Sequence, residues 1–329
     1  NITSFWETAP LLISNIFVYL SHSIDGNSAL IFFNACNILS DIVFTEIGKT
    51  GINIMYNIGN YTFGSFKSVA DMHKSNYAIL ENEDSLGVES LGVKYCPHLS
   101  FEDEFSILQQ LDHKQIPKAY DYGQETMYKD NKVVLKQHFI VLEHMSSTDL
   151  VGYFKEKTAQ DFQGQIENII KCFISACIPL DYIHSKDFVH CDLKPGHLLL
   201  DPGTCTVYLI DFELAIRKSG ILKGISMDYA SPEQLTLVEE LRNTPENVPL
   251  EAIAFFLSID GKSDLYSLGA ILYEILTNKR WCETKLPPIN LNKSIPQKLE
   301  DIVMSTLEKD PDNRISTAKQ LKQVLENFI

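Results

Sequence analysis

Asp192 and Lys194 stand two residues apart in the run His190-Cys191-Asp192-Leu193-Lys194-Pro195-Gly196-His197-Leu198-Leu199-Leu200, and this arrangement constrains the chain more than any other feature. Residues two apart in an extended loop project to the same side, so a carboxylate and an ammonium group face one target. Nineteen residues after Asp192, behind the apolar run Val207-Tyr208-Leu209-Ile210, comes Asp211-Phe212-Glu213.

The sequence on either side of this stretch differs in period. Residues 45–96 are rich in Gly, Tyr, Ile and Val in short apolar runs, which reads as strands and turns. In residues 100–112, Ser100 and Asp103 are spaced like a capping box, and Phe105, Leu108 and Leu111 share one helical face. Residues 133–145 read as two closely joined strands. From residue 160 onward helical patterns dominate, at 161–185, 262–277, 297–308 and 315–328, with a strand-like TVYLIDF at 206–212. A strand-rich half before a helix-rich half predicts an α+β fold with two lobes.

Composition narrows the function class. The 329 residues are 45% apolar and 22% charged, as in globular proteins. A net charge of −15 argues against a nucleic-acid surface and suits a basic protein partner. Seven cysteines, with no Cys-x-x-Cys pair, read as reduced thiols of a cytoplasmic protein rather than a disulfide framework or zinc site. The chain opens on Asn1 rather than Met and reads as a piece of a longer or processed protein. The apolar runs at 11–20 and 29–44 fall short of the roughly 18 uninterrupted residues of a membrane span. No basic segment precedes the first, which argues against a signal peptide. Residues 1–44 are expected to form two amphipathic helices packed on the rest, and no membrane association is expected.

Three further motifs follow in order: Tyr229-Ala230-Ser231-Pro232-Glu233, Asp264-Leu265-Tyr266-Ser267-Leu268-Gly269 and Asp310-Pro311-Asp312-Asn313-Arg314. Together with the first two, they resemble the eukaryotic-type protein kinase family over residues 55–329. The matching features are the His-Arg-Asp loop, the Asp-Phe-Gly metal loop, the Ala-Pro-Glu segment, the Asp-x-x-Ser-x-Gly helix and a late arginine. The resemblance implies a bilobal fold after a helical extension at 1–44. A β-rich N-lobe with its hinge would occupy 45–145, and a helical C-lobe 146–329 with an insertion near 236–258. It also implies transfer of the ATP γ-phosphoryl group to serine or threonine hydroxyls of a protein substrate, with Mg²⁺ (or Mn²⁺).

Phosphoryl transfer asks a protein mainly for positioning and charge neutralisation. By the resemblance, Asp192 orients the acceptor hydroxyl and Lys194 neutralises the moving phosphoryl group, the serine/threonine-type pattern. Asp211 matches the carboxylate that chelates the metal, a hard ligand for a hard cation. Three positions depart from the family. Cys191 replaces the arginine that grips a phosphorylated activation loop, so activity independent of that phosphorylation is expected. His197 replaces the second metal-binding asparagine. As imidazole suits Mn²⁺ better than Mg²⁺, the site is weak, shifted or Mn²⁺-preferring, or else His197 only hydrogen-bonds the loop. Glu213 replaces a glycine, where its bulk restricts flipping of Asp211 or its carboxylate contacts metal.

At the nucleotide end, Ile58-Gly59-Asn60-Tyr61-Thr62-Phe63-Gly64 resembles the glycine-rich loop, with Tyr61 at the middle glycine. Gly59 and Gly64 would let backbone N–H groups approach phosphates. Gly48-Lys49-Thr50-Gly51 is a shorter rival, and an ordinary hairpin turn is the plain alternative. The phosphate-anchoring lysine has two registers. Tyr77-Ala78-Ile79-Leu80 puts Leu80 at the anchor, whereas Leu91-Gly92-Val93-Lys94 puts Lys94 there, with Glu104 ten residues on as its partner. The second is preferred, because a strand lysine just before a helix bearing a carboxylate is what the ion pair requires. Residues 139–145 resemble the last N-lobe strand and hinge, with Leu142 as gatekeeper and the backbone of Glu143 and Met145 meeting adenine. Asp149 reaches the ribose or caps the next helix.

Glu233 and Arg314 match a buried ion pair, Asp264 the carboxylate that holds the catalytic loop, and Ser226 a hydroxyl beside the catalytic pair. Residues 236–258 border the substrate-docking face, which suits partner or substrate recognition. Leu80, Tyr61, His197 and Glu213 would also fit a pseudokinase that binds nucleotide or a partner. Retention of both Asp192 and Lys194 favours the enzyme.

Overall fold

The computed structural model describes residues 56–58, 61–63, 76–81, 90–96, 100–129, 132–145, 147–243 and 259–329. The expected helices at 1–44, both loop glycines Gly59 and Gly64, the rival Gly48–Gly51 and most of the 236–258 insertion lie outside them. The chain divides into two compact units, Asn1–Asn57 with Thr62–Phe66, and Ile58–Tyr61 with Lys67–Ile329. Nearly all described residues belong to the second.

Two three-residue strands come first in sequence, β1 (Tyr56–Ile58) and β2 (Tyr61–Phe63). The main sheet has four antiparallel strands in the order β3-β4-β6-β5: β3 (Asn76–Glu81), β4 (Ser90–Cys96), β5 (Ala119–Lys129) and β6 (Lys132–Glu143). Leu80 and Lys94 therefore sit on neighbouring strands, with Leu80 opposite Leu91 and Lys94 opposite Tyr77. On β4, Leu91, Gly92, Val93 and Lys94 are all buried, so both faces of the strand are covered around the lysine. The two strands expected at 133–145 are one. No glycine or proline interrupts β6, and it pairs with β4 on one side and β5 on the other.

Helix α1 (Glu102–Leu108) is shorter than the 100–112 pattern suggested. Its N-cap is Phe101, and Ser100 Oγ only accepts the Glu102 N–H at 3.3 Å. The capping box does not form, because Asp103 turns outward to Lys223 at 2.8 Å. The short strand β7 (Thr148–Asp149) leads into α2 (Leu150–Gln160), capped by the Asp149 carboxylate on the Gly152 N–H. Helix α3 (Phe162–Ser185) buries Ile166, Ile169, Ile170, Phe173, Cys177, Leu180 and Ile183, a stripe at helical spacing.

Four short strands then frame the candidate site: β8 (Phe188–Val189), β9 (Leu198–Asp201), β10 (Thr206–Leu209) and β11 (Ile216–Arg217). β9 and β10 pair antiparallel with Leu198 opposite Leu209. That register sets His197, just before β9, opposite Ile210, whose N–H donates to the His197 carbonyl at 3.1 Å, and so beside Asp211.

The chain continues through α4 (Pro232–Asn243) to α5 (Gly261–Thr277), in which every residue from Ser263 to Tyr273 is buried. A helix covered all round is a central one. Gly269 admits a neighbour where a Cβ would stand 1.8 Å from Thr306 Oγ1. Short helices α6 (Trp281–Thr284) and α7 (Pro288–Leu291) precede α8 (Gln297–Thr306) and α9 (Ala318–Glu326). Among the described residues no helix is long and apolar enough to cross a membrane.

Between α8 and α9, buried Arg314 donates to Glu233 Oε1 at 2.7 Å and Oε2 at 3.0 Å, and to the Lys262 carbonyl at 2.7 Å. Burial works to raise the Glu233 pKa, but the Arg314 guanidinium outweighs it and holds the carboxyl below its ordinary value. Removing one partner of a buried pair strands the other charge, so Arg314→Ala should lose about 3–5 kcal/mol in denaturant unfolding at neutral pH. Because the folded value is depressed, the contribution is complete above the ordinary carboxylate range and lost as pH falls through the depressed value. The gap between wild type and variant should therefore narrow in acid.

Candidate active site

Lys94 is the centre of a buried ion cluster. Its ammonium donates to Glu104 Oε2 at 3.0 Å and to Asp211 Oδ1 at 2.7 Å, and lies 3.0 Å from Glu213 Oε2. Glu104 also accepts the Phe212 N–H through Oε1 at 3.1 Å. Three elements thus meet at one charge: β4, α1 and the segment after β10. Burial opposes the charge on Lys94, but Asp211, Glu104 and Glu213 outweigh it and its pKa stands well above the usual lysine value. Burial likewise opposes ionisation of Asp211, yet Lys94 and His197 hold it well below the usual carboxylate range.

The loop that carries Asp192 and Lys194 runs from β8 to β9. Asp264, on α5, accepts the His190 N–H and the Cys191 N–H at 2.9 Å each, and the His184 ring sits 2.8 Å away. Gln234 donates to the Cys191 carbonyl at 2.8 Å. These bonds hold Cys191 at φ 65°, a left-handed conformation that costs a non-glycine residue on the order of 1 kcal/mol. The Cys191 side chain lies in an apolar cluster with Val189, Ile216, Leu222, Leu237 and Ile259.

Asp192 and Lys194 share one side of the loop, with Lys194 Nζ 3.1 Å from Asp192 Oδ2 and 3.5 Å from Ser226 Oγ. Asp192 Oδ1 is buried and takes no hydrogen bond among the described residues. Burial works to raise the Asp192 pKa, but His197 and Lys194 outweigh it and keep the carboxyl below its ordinary value.

His197 bridges the two aspartates. Its Nδ1 is 2.8 Å from the Asp192 carbonyl and its Nε2 is 3.0 Å from Asp211 Oδ2. Asp211 is itself held at φ 65°. The structure therefore brings together Lys94, Glu104, Asp192, Lys194, His197 and Asp211, six of the residues singled out in the sequence. Glu213 reaches Lys94, a contact the sequence did not suggest.

At the end of β6, Leu142 is buried, and the Glu143 N–H donates to the Lys118 carbonyl at 2.8 Å. The Met145 carbonyl accepts from Ser147 Oγ at 2.9 Å. Three polar anchors escaped the sequence reading. They are His184 and Gln234, described above, and Gln115, which is buried and donates to the Ser175 and Val207 carbonyls at 3.0 and 2.7 Å. Polar residues interrupting an apolar helical stripe, as His184 does after Ile183, were the available signal.

The profile of the protein kinase domain family matches residues 57–326, and the chain belongs to that family. It is 28% identical over 250 residues to a probable serine/threonine-protein kinase of Clostridium perfringens, covering 69% of this chain and 31% of that protein. It is 26% identical over 283 residues to the serine/threonine-protein kinase PknB of Mycobacterium leprae, covering 81% and 42% respectively. Against the probable serine/threonine-protein kinase PknB of Lactococcus lactis the figures are 27% over 301 residues, 85% and 40%. The chain spans less than half the length of each of these relatives.

Asp264→Ala would orphan two buried N–H donors, each worth about 1–3 kcal/mol. The expected outcome is a loss of about 2–5 kcal/mol in unfolding, with hydrogen-exchange protection falling first at the His190 and Cys191 amides.

Proposed function

We propose that this domain is a protein serine/threonine kinase that transfers the γ-phosphoryl group of ATP to protein hydroxyls with a divalent cation. The observation that carries the reading is the unpartnered, buried Asp192 Oδ1, an ionised acceptor beside the Lys194 ammonium. A buried carboxylate oxygen without a donor is costly in a fold and useful to an incoming hydroxyl. The acceptor hydroxyl donates to Asp192 Oδ1, which orients its oxygen and draws off charge as the proton leaves. Lys194 offsets the negative charge of the moving phosphoryl group. Lys94, tied to Glu104, faces the other phosphates, and the backbone of Glu143 and Met145 takes the adenine edge. Gly59 and Gly64 are the proposed phosphate-covering glycines.

The donor set fits a divalent cation. A hard carboxylate oxygen of Asp211 and an imidazole nitrogen of His197 lie 3.0 Å apart, about the spacing of adjacent ligands on one ion. When bound, such an ion neutralises and bridges phosphate oxygens. Asp211 and His197 would hold it. The acidic balance of the chain suits basic protein substrates. Use of ATP, together with the free buried thiols Cys96, Cys172, Cys177 and Cys191, suits work in the cytoplasm.

The test is incubation of the purified chain with γ-labelled ATP, a basic protein substrate, and Mg²⁺ or Mn²⁺. Label should appear on serine or threonine, and Asp192→Ala should cut the rate by about a thousandfold. No transfer with either metal would sink the reading. Because Cys191 sits among apolar side chains, prior phosphatase treatment should leave the wild-type rate within about twofold.

A further inference from the structure

An ammonium group has three donors and no more. Two of those on Lys94 go to Glu104 and Asp211, at 3.0 and 2.7 Å, and Glu213 adds a third carboxylate as an ion pair at 3.0 Å. The Lys94 side chain is 3% exposed, so water supplies little else. The lysine proposed to receive phosphate is thus ringed by carboxylates before phosphate arrives. Its three partners are not equally held. Glu104 also accepts the Phe212 N–H, and Asp211 also faces His197. Glu213 makes the Lys94 contact alone among the described residues, and its side chain is 18% exposed. It is the partner that leaves at least cost.

The cluster is also unbalanced. Three carboxylates around one ammonium leave negative charge in excess, with their ligand oxygens within 4.8 Å of one another. A bare nucleoside triphosphate would have to displace Glu213 and enter a field of its own sign. The same nucleotide carrying a divalent cation has less charge to repel and a cation that the carboxylates attract.

We infer that Glu213 is a selectivity residue of the nucleotide site: it pairs with Lys94 in place of a phosphate oxygen and yields to a cation-loaded triphosphate but not to the free one. The inference rests on the nucleotide-binding reading above. It assigns Glu213 a role by charge and by occupancy, and the two are separable. Glu213→Gln keeps the shape and removes the charge, whereas Glu213→Gly also clears the space beside Lys94.

Calorimetric titration with the imido analogue of ATP, adenylyl imidodiphosphate, tests this without any transfer step. It is run in EDTA and again with Mn²⁺ or Mg²⁺, on chains whose folding is checked by thermal unfolding. The wild type should bind at least about a hundredfold more weakly in EDTA than with cation. Glu213→Gln should gain about tenfold in EDTA, Glu213→Gly that much or more, and both should change less than about threefold with cation present. Folded variants that bind the analogue with cation but gain nothing in EDTA would overturn the inference and leave the kinase reading standing. So would a wild type that binds equally well in both media. No binding by any of the three chains in any medium would overturn both.

Discussion

A single buried ammonium group organises this domain. Lys94 sits on a strand covered on both faces, where an unpaired charge would be intolerable, so the fold must bring carboxylates to it. They arrive from α1 and from the segment after β10, and in satisfying the lysine they fix where those elements stand. The strand supplies the cation's place, the helix supplies Glu104, and the turn after β10 supplies Asp211. Each group is expensive alone and tolerable together. That mutual dependence sets the distance between the sheet and the catalytic loop more tightly than apolar packing could, since apolar contacts are non-directional.

A second polar centre does for the catalytic loop what Lys94 does for the sheet. Asp264 reaches from the most buried helix and accepts two consecutive backbone N–H groups, which holds the chain reversal at Cys191 in its left-handed conformation. The loop can then spend its other side on chemistry. Cys191 turns into an apolar cluster, so the segment from Asp211 to Glu233 rests on side-chain packing there. Arg217 to Gln110 at 2.6 Å and Lys223 to Asp103 at 2.8 Å add exposed ties to α1 and the turn after it. Such exposed contacts contribute little each. The buried cluster and the Glu233–Arg314 pair carry more of the ordering.

Much of this was legible in the sequence where one rule decides alone. Helices α3 and α5 follow from apolar spacing and match 161–185 and 262–277 within a residue. The pairing of Asp192 with Lys194 follows from their spacing in an extended loop. Legibility fails where partners come from different elements. Leu80 and Lys94 lie on adjacent antiparallel strands with similar local sequence, and only the position of α1 separates the two registers. Residues 133–145 were read as two strands, but the polar Lys136-Gln137-His138 in their middle pair with Thr126, Glu125 and Gln124 of β5 and keep β6 single. Glu213 was read as restricting Asp211 by its bulk or contacting metal through its carboxylate, since nothing local reveals that this carboxylate reaches a lysine more than a hundred residues earlier.

His197 shows how the two centres are joined. A carbonyl oxygen only accepts, so the bond to the Asp192 carbonyl requires a proton on Nδ1. The other ring nitrogen, Nε2, is directed at Asp211 Oδ2 at 3.0 Å. The backbone of Asp192 thus orients, through the ring, the nitrogen that faces Asp211. A shift of the catalytic loop therefore moves Nε2 relative to Asp211, and the two carboxylates are geometrically linked through one ring. His197 therefore stands as one ring bridging the Asp192 backbone and the Asp211 side chain.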